Sequence, residues 1–286
     1  MKKICTILVC CIAIVMISSC GKNSSDELTV MTFNMRYDTP RDGENRWTYR
    51  YDRIAQVILA QDADLFGAQE VLKHMLDTLV SRLAGYTYVG VGRGDGIAAG
   101  EFSPVFYKKD RFELLDSGNF WLSETPDVAG SKGWDAACKR IASWVILKDR
   151  RKGNELFMLN THLDHVGEVA RRESVKLLLQ RVKELRGDRP AILTGDFNAT
   201  PDSEVITSLL ADGSVFHTRD IAATTNGTLW TFSAFGQLPE DKRTFIDYVL
   251  VTSEWEVASH VVLPDTLDGG YVSDHTPIVT KLTIAR

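Results

Sequence analysis

The chain has 286 residues, 44% of them hydrophobic, and a formal charge of −5. That is enough apolar material for one sizeable core near the upper size limit of a single domain, and no internal repeat or low-complexity linker divides it. An acidic balance argues against a dedicated binder of duplex DNA, which usually carries a basic stripe, and clustered metal-binding carboxylates would account for part of it.

Lys2 and Lys3 precede an apolar run from Ile4 to Ile17, too short to span a bilayer comfortably, and Ser18-Ser19-Cys20-Gly21 then sets small residues around a cysteine. The pattern resembles a bacterial lipoprotein signal over residues 1–19. It implies cleavage before Cys20, lipid on its thiol, a polar tether over 20–27, and an exported protein anchored on the periplasmic or cell-surface side of a membrane. An ordinary secretory peptide is the alternative. Cys5, Cys10 and Cys11 would leave with the signal, so Cys138 alone remains in the folded body, without an internal disulfide and read as a small apolar residue.

The domain, 28–286, opens with a strand, Leu28 to Phe33, which delivers Asn34. A loop from Arg36 to Trp47, rich in charges and aromatics, reads as one wall of a cleft or as a solvated surface loop. Apolar spacing predicts helices over Tyr49–Leu59 and Val71–Leu83, on either side of a strand, Leu65–Gln69, that delivers Glu70. After a strand at Tyr86–Val91, the turn Gly92-Arg93-Gly94-Asp95-Gly96 lacks the Lys-Ser/Thr and helix of a phosphate loop and reads as a flexible rim. Glu101 starts the next strand, and Phe112–Phe120, Arg140–Leu147 and Leu156–His162 continue a largely antiparallel group. The longest helix is Glu168–Leu185, with Val169, Val175, Leu178, Leu179 and Val182 as its buried side. Ile192–Asp196 is a strand that stops on Asp196-Phe197-Asn198 before Pro201, and Ser203–Leu210 is a short helix. Phe245–Val251, Val257–Leu263 and Pro277–Ile284 close the chain as strands, the first carrying Asp247 in an apolar run where a carboxylate needs a partner. Alternating helices and strands indicate a layered α/β arrangement.

Five segments therefore end in chemistry, at Asn34, Glu70, His162, Asp196 with Asn198, and Asp274 with His275, which suggests one shared cleft. For Asp196-x-Asn198 alone, a turn satisfying its own backbone is an equal reading. Asn34, Glu70, Asp196, Asn198 and Asp274 offer only oxygen, the preference of Mg²⁺ or Mn²⁺ rather than Zn²⁺. His275, if reached by Asp247, would deprotonate a water or stabilise phosphate charge, and His162 would bind a phosphoryl oxygen or help the leaving group. Thr161-His162-Leu163-Asp164-His165 also suggests the histidine-rich loop of zinc hydrolases of the metallo-β-lactamase type, although one histidine of that loop is missing.

Thr32-Phe33-Asn34, Gln69-Glu70, Asn160-Thr161-His162, Gly195-Asp196-Phe197-Asn198, Ile246-Asp247-Tyr248 and Ser273-Asp274-His275 together resemble the ordered motifs of the endonuclease/exonuclease/phosphatase superfamily, from about Leu28 to the C-terminus. The resemblance implies a four-layered sandwich, two mixed and mostly antiparallel sheets face to face with helices outside, and Mg²⁺-dependent (or Mn²⁺-dependent) hydrolysis of a phosphoester. It implies Glu70 as principal metal ligand with Asn34 and Asp274 close to the metal. Asp196 and Asn198 would orient water and phosphate, His275 would pair with Asp247, and His162 would be the second catalytic histidine, supported by Glu101. Arg140 would contact phosphate. Arg36 stands where abasic-site endonucleases carry an aspartate, so that subtype is excluded. Asp164 and His165 would sit at the rim and select substrate, and Trp134 and Trp230 would offer stacking surfaces unless they pack in the core.

The expected substrate is a phosphoester: nucleic acid first, because His162 and Glu101 follow the nuclease branch, with a phospholipid headgroup or a sugar or inositol phosphate as the alternative. A non-catalytic surface binding protein is the reading of another class. No obligate protein partner is evident.

Overall fold

The computed structural model describes residues 27–285. The readings of a signal over 1–19, of lipid on Cys20 and of a tether over 20–27 fall, apart from Glu27, outside those residues.

In chain order the elements are β1 (Leu28–Asn34), α1 (Trp47–Ala60), β2 (Leu65–Gln69), α2 (Lys73–Arg82), β3 (Tyr86–Val89), β4 (Val105–Lys108), β5 (Phe112–Trp121), β6 (Ile141–Asp149), β7 (Glu155–His162), α3 (Glu168–Arg186), β8 (Ala191–Asp196), α4 (Glu204–Leu210), β9 (Phe216–His217), α5 (Thr218–Ile221), β10 (Thr224–Asn226), β11 (Asp247–Val251), β12 (Trp255–Val262), β13 (Thr266–Leu267), β14 (Gly270–Tyr271) and β15 (Ile278–Ile284). One sheet has the order β10-β12-β15-β1-β2-β4-β3, the other β5-β6-β7-β8-β11-β9, and β13 and β14 form a small hairpin. Both large sheets are mixed, with β1–β2 and β7–β8 parallel among mostly antiparallel neighbours.

Strand alternation builds the layers. Along β1, Leu28 and Val30 enter the core between the sheets, while Met31 and Phe33 enter a second core under the helices, as period two requires. Buried on both faces, β1 reads as a nearly continuous apolar run. The second core takes Trp47, Ile54 and Ile58 from α1 and Met75, Leu76 and Leu79 from α2. On the other outer face, Val175, Leu178 and Val182 of α3 and Val205, Ile206 and Leu209 of α4 pack against the second sheet. The expected four-layered sandwich is the observed fold. Within α3 the buried face is Ala170, Ser174, Val175, Leu178 and Val182, and Val169, expected inside, is 39% exposed because it precedes Ala170 by one residue, about 100° round the helix from that row.

The sheets meet closely where polar groups lie between them. Gly67 of β2 faces Asn160 and Thr194 of the opposite sheet so directly that a Cβ would overlap both side chains. Asn160 Oδ1 accepts from Gln69 Nε2 at 2.6 Å and from Thr194 Oγ1 at 3.0 Å, and its Nδ2 donates to Ala68 O and Pro104 O at 2.7 and 3.0 Å. An amide network thus clamps β2 to β7 and β8 just beneath the strand ends, with Gln69 Oε1 left buried and unpaired.

Candidate active site

The parallel pairs put the chemistry at one end of the sandwich. In the second sheet His162 is in register with Asp196, and Asp196 with Asp247, so an imidazole and two carboxylates stand in one row across β7, β8 and β11. From the facing sheet β1 brings Asn34, the residue after β2 is Glu70, and the approach to β15 brings Asp274 and His275. These residues line a cleft of about 370 Å³ that also includes Arg36, Tyr37, Arg93, Glu101, Cys138, Arg140, His165, Asn198, Phe232 and Ile246; Asn34 and Asp247 lie behind its wall. The five chemical strand endings do share one site. Three of its residues, Arg36, Glu70 and Asn198, have φ of 52°, 62° and 46°, left-handed conformations that side chains other than glycine adopt at a cost and that aim them into the cleft.

Asn34 is the joint between the sheets: its Nδ2 donates to Glu70 Oε1 at 3.1 Å and Asp196 Oδ2 at 2.9 Å. Its Oδ1 accepts from Arg36 N at 2.9 Å, so its amide group orients two carboxylates as a donor and ties the loop after β1. Glu70 also accepts from Tyr37 N at 3.0 Å. Donor atoms of Glu70, Asp196 and His275 lie within 4.8 Å of one another, a carboxylate-dominated group that fits a hard divalent cation. Asp274 borders the same cleft, 3.7 Å from Arg36 Nε, and burial pushes its carboxyl upward.

His275 Nδ1 meets Asp247 Oδ2 at 2.8 Å, as expected of that pair. Burial opposes its charge, but Asp247, through field and hydrogen bond, together with Asp196 and Asp274, carries it up to about 10. Its Nε2 is 3.8 Å from Asp196 Oδ2. Asp196 is pushed up to about 7, first by burial and then by Asp247. His162 behaves oppositely: burial, then Arg140 and Arg93, hold it well below its ordinary value. Asn198 Nδ2 donates to His162 Nε2 and to Leu163 O, each at 3.0 Å, which places the His162 proton on Nδ1, a buried atom without a partner.

Several expected roles change. Glu101 lines the cleft, but its Oε1 accepts from Arg93 Nη2 at 2.6 Å and no bond joins it to His162, so it does not support that histidine. Asp164 is not at the rim. It is 1% exposed and accepts from the N–H groups of Ala137, Cys138, Val166 and Gly167 at 2.8–3.0 Å and from Arg140 Nε at 3.2 Å. Burial works against its charge, yet those amides hold it well below the usual carboxylate range. Arg140, so gripped, also meets His165 Nδ1 at 3.0 Å and keeps Nη1 buried and unpaired in the cleft wall. His165 is exposed at the mouth. Arg36 forms a two-bond pair with Asp42, 2.9 Å for each bond, and lies over Tyr37.

Trp134 borders a different depression, beside Glu124 and Arg181, and Trp230 is buried under Arg243. Neither lines the cleft; Phe232, from the same aromatic segment as Trp230, does, with its ring 4.9 Å from His275. The glycine-rich turn is a hydrogen-bonded loop, not a loose rim. Arg93 N bonds Glu101 O, Gly94 N bonds Ala99 O, and Asp95 Oδ1 accepts three successive N–H groups, Ile97 to Ala99. Sequence reasoning missed Arg93 because nothing in a Gly-x-Gly turn announces a cleft arginine. For the zinc reading, donor atoms of Cys138, Asp164 and His165 lie within 4.8 Å of one another, but Asp164 already accepts from four amides and Arg140, and His217 and His260 pack on each other and on Phe245 instead of joining them.

The chain matches the Endonuclease/Exonuclease/phosphatase family over residues 31–275. A solved member of that family from Bacteroides vulgatus is 41% identical, with a TM-score of 0.87 over 91% of this chain and 99% of that one. A mannosyl-6-phosphatase of Bacteroides thetaiotaomicron is 38% identical, with a TM-score of 0.86 over 90% of this chain and 100% of its own. Drosophila melanogaster Nocturnin is 29% identical over 57% of this chain and only 26% of its own length. The residues, their order along the sheets and these likenesses lead to one conclusion: the chain belongs to the endonuclease/exonuclease/phosphatase family, whose members are phosphoester hydrolases that generally depend on a divalent metal.

Proposed function

We propose that the chain is a Mg²⁺- or Mn²⁺-dependent phosphatase of small phosphorylated sugars. The observation behind this reading is the cleft itself, about 370 Å³ and walled by Arg36, Arg93 and Arg140 in a chain of net charge −5. Such a volume suits a sugar phosphate, whereas a polynucleotide calls for an extended basic track. Preference for a nuclease rested on Glu101 backing His162, and Glu101 is bound to Arg93 instead. Likeness to the mannosyl-6-phosphatase supports the same substrate class.

Glu70, with Asp274 beside it, would hold the divalent cation, which when bound supplies charge neutralisation at the phosphate. Asp196 is placed to hold the attacking water and take its proton, because its carboxyl is raised to about 7 by burial and Asp247 while Asn34 and Asn198 N fix its orientation. His275, locked on Asp247 and carried up to about 10, donates Nε2–H to a phosphoryl oxygen. Arg140 Nη1, buried and unpaired, completes its hydrogen bonding on the phosphate. Neutral His162 with Asn198 lines the remaining side.

Phosphate release from hexose phosphates, inositol phosphates, sphingomyelin, DNA and RNA, with Mg²⁺ or Mn²⁺ and with EDTA, tests this. The expected result is metal-dependent turnover of a hexose phosphate that EDTA abolishes, and at least ~10²-fold slower turnover in Glu70→Gln and His275→Ala. Cleavage of nucleic acid with sugar phosphates untouched overturns it.

A further inference from the structure

Besides Arg36 and Arg140, the cleft holds an arginine whose job the family motifs leave open. Arg93 lies on the loop between β3 and β4, which the fold secures from several sides. Trp121 Nε1 donates to Arg93 O at 2.8 Å, Lys139 Nζ donates to Gly94 O at 2.9 Å, and Arg93 N bonds Glu101 O at 3.0 Å. Gly92 and Gly94 pass so near Ala98 and Ala99 that a Cβ on either would come within 2.5–2.8 Å of that backbone. A loop packed this tightly is a platform, and its guanidinium is half-buried, the side chain 15% exposed. Arg93 uses one nitrogen, Nη2, on Glu101, which leaves further donors of its fork for a ligand.

Arg93 and Arg140 both line the cleft with His162, whose charge they oppose, and Asp196 lies beside that histidine, its Oδ2 3.4 Å from Nε2. Arg93 and Arg140 are each tied to a carboxylate of their own, so what they offer together is spare N–H donors, enough to bond several oxygens of a terminal phosphate. A phosphomonoester carries a second charge above its second pKa of about 6, and a diester never does.

We infer that Arg93 is a specificity-determining residue that, with Arg140, grips the dianionic terminal phosphate and favours monoesters over diesters. The inference rests on the phosphatase reading above and deepens it. Two positions of positive charge around one phosphate also fix its rotation, because planar forks bind oxygens in pairs.

The test compares p-nitrophenyl phosphate with bis-p-nitrophenyl phosphate in wild type, Arg93→Gln, Arg93→Lys and the paired variant Arg93→Gln/Glu101→Gln. The monoester-to-diester ratio of kcat/KM should fall at least ~10-fold in Arg93→Gln and in the paired variant, which leaves no unpaired carboxylate, and recover in part in Arg93→Lys. Equal losses on both substrates would mean a merely structural arginine, and an unchanged ratio an idle one; either overturns the inference. Calorimetric binding of inorganic phosphate against dimethyl phosphate gives the same comparison without turnover. Discrimination in binding without hydrolysis would therefore sink the enzymatic reading and leave the role of Arg93 standing.

Discussion

Asp164 shows how much one buried carboxylate can organise. Its Oδ1 collects the amides of Ala137, Val166 and Gly167, and its Oδ2 those of Cys138 and Arg140 Nε, so it ties the loop before β6 to the start of α3 and aims the cleft arginine. Converting it to Asp164→Asn keeps the shape but turns one oxygen into a donor that faces donors. A loss of about 2–3 kcal/mol in stability is expected, read by urea unfolding, together with weaker phosphate binding as Arg140 loosens. A substrate-selecting residue at the rim would leave stability unchanged, and that result would restore the role its sequence context suggested. Arg140 was legible as the polar start of a strand and His165 as a polar residue after one, but their mutual contact at 3.0 Å was not.

Elements differ in how clearly the chain announces them. Strands such as β1 and β8, buried along their whole length, appear in sequence as apolar runs that break at a polar ending. β10, Thr224–Asn226, is exposed at every position and had no pattern to show, and β9 with α5 is too short for periodicity. That corner nevertheless holds a pair of buried histidines. His260 Nδ1 lies 2.9 Å from Thr218 Oγ1, which also donates to Val249 O, so the ring donates to the hydroxyl and its Nε2 is buried without a partner. Burial, then His217 and Arg219, press His260 down to about 3. A histidine depressed in the folded state binds its proton more readily when unfolded, so its stabilising contribution is complete above about 6.5 and is lost as pH falls toward 3. Between pH 7 and pH 5 this amounts to about 2 kcal/mol. Melting curves of wild type and His260→Leu over that range should converge as pH falls; parallel curves would show that another group carries the acid sensitivity.

At the scale of the whole molecule, net charge and cleft size set the kind of partner that can approach. With −5 overall and its arginines paired to Asp42, Glu101 and Asp164, the protein offers phosphate a local grip without a long positive track. Turnover of a hexose phosphate should change less than about tenfold between 50 and 200 mM salt, where a protein with many backbone phosphate contacts loses roughly 10³–10⁵ in affinity. A steep salt dependence would revive the nucleic-acid reading. The sequence by itself determined the layered fold, the strand endings and the family, because burial on both faces of a strand and a polar stop at its end are local patterns. Only the tertiary structure decided who partners whom. Glu101 holds Arg93 and not His162, Asp164 serves the backbone and not the rim, and Phe232 reaches the cleft while Trp134 and Trp230 do not. Those choices depend on which side chains two sheets and their loops bring within about 3 Å, a distance that hydrogen bonding sets and sequence spacing does not.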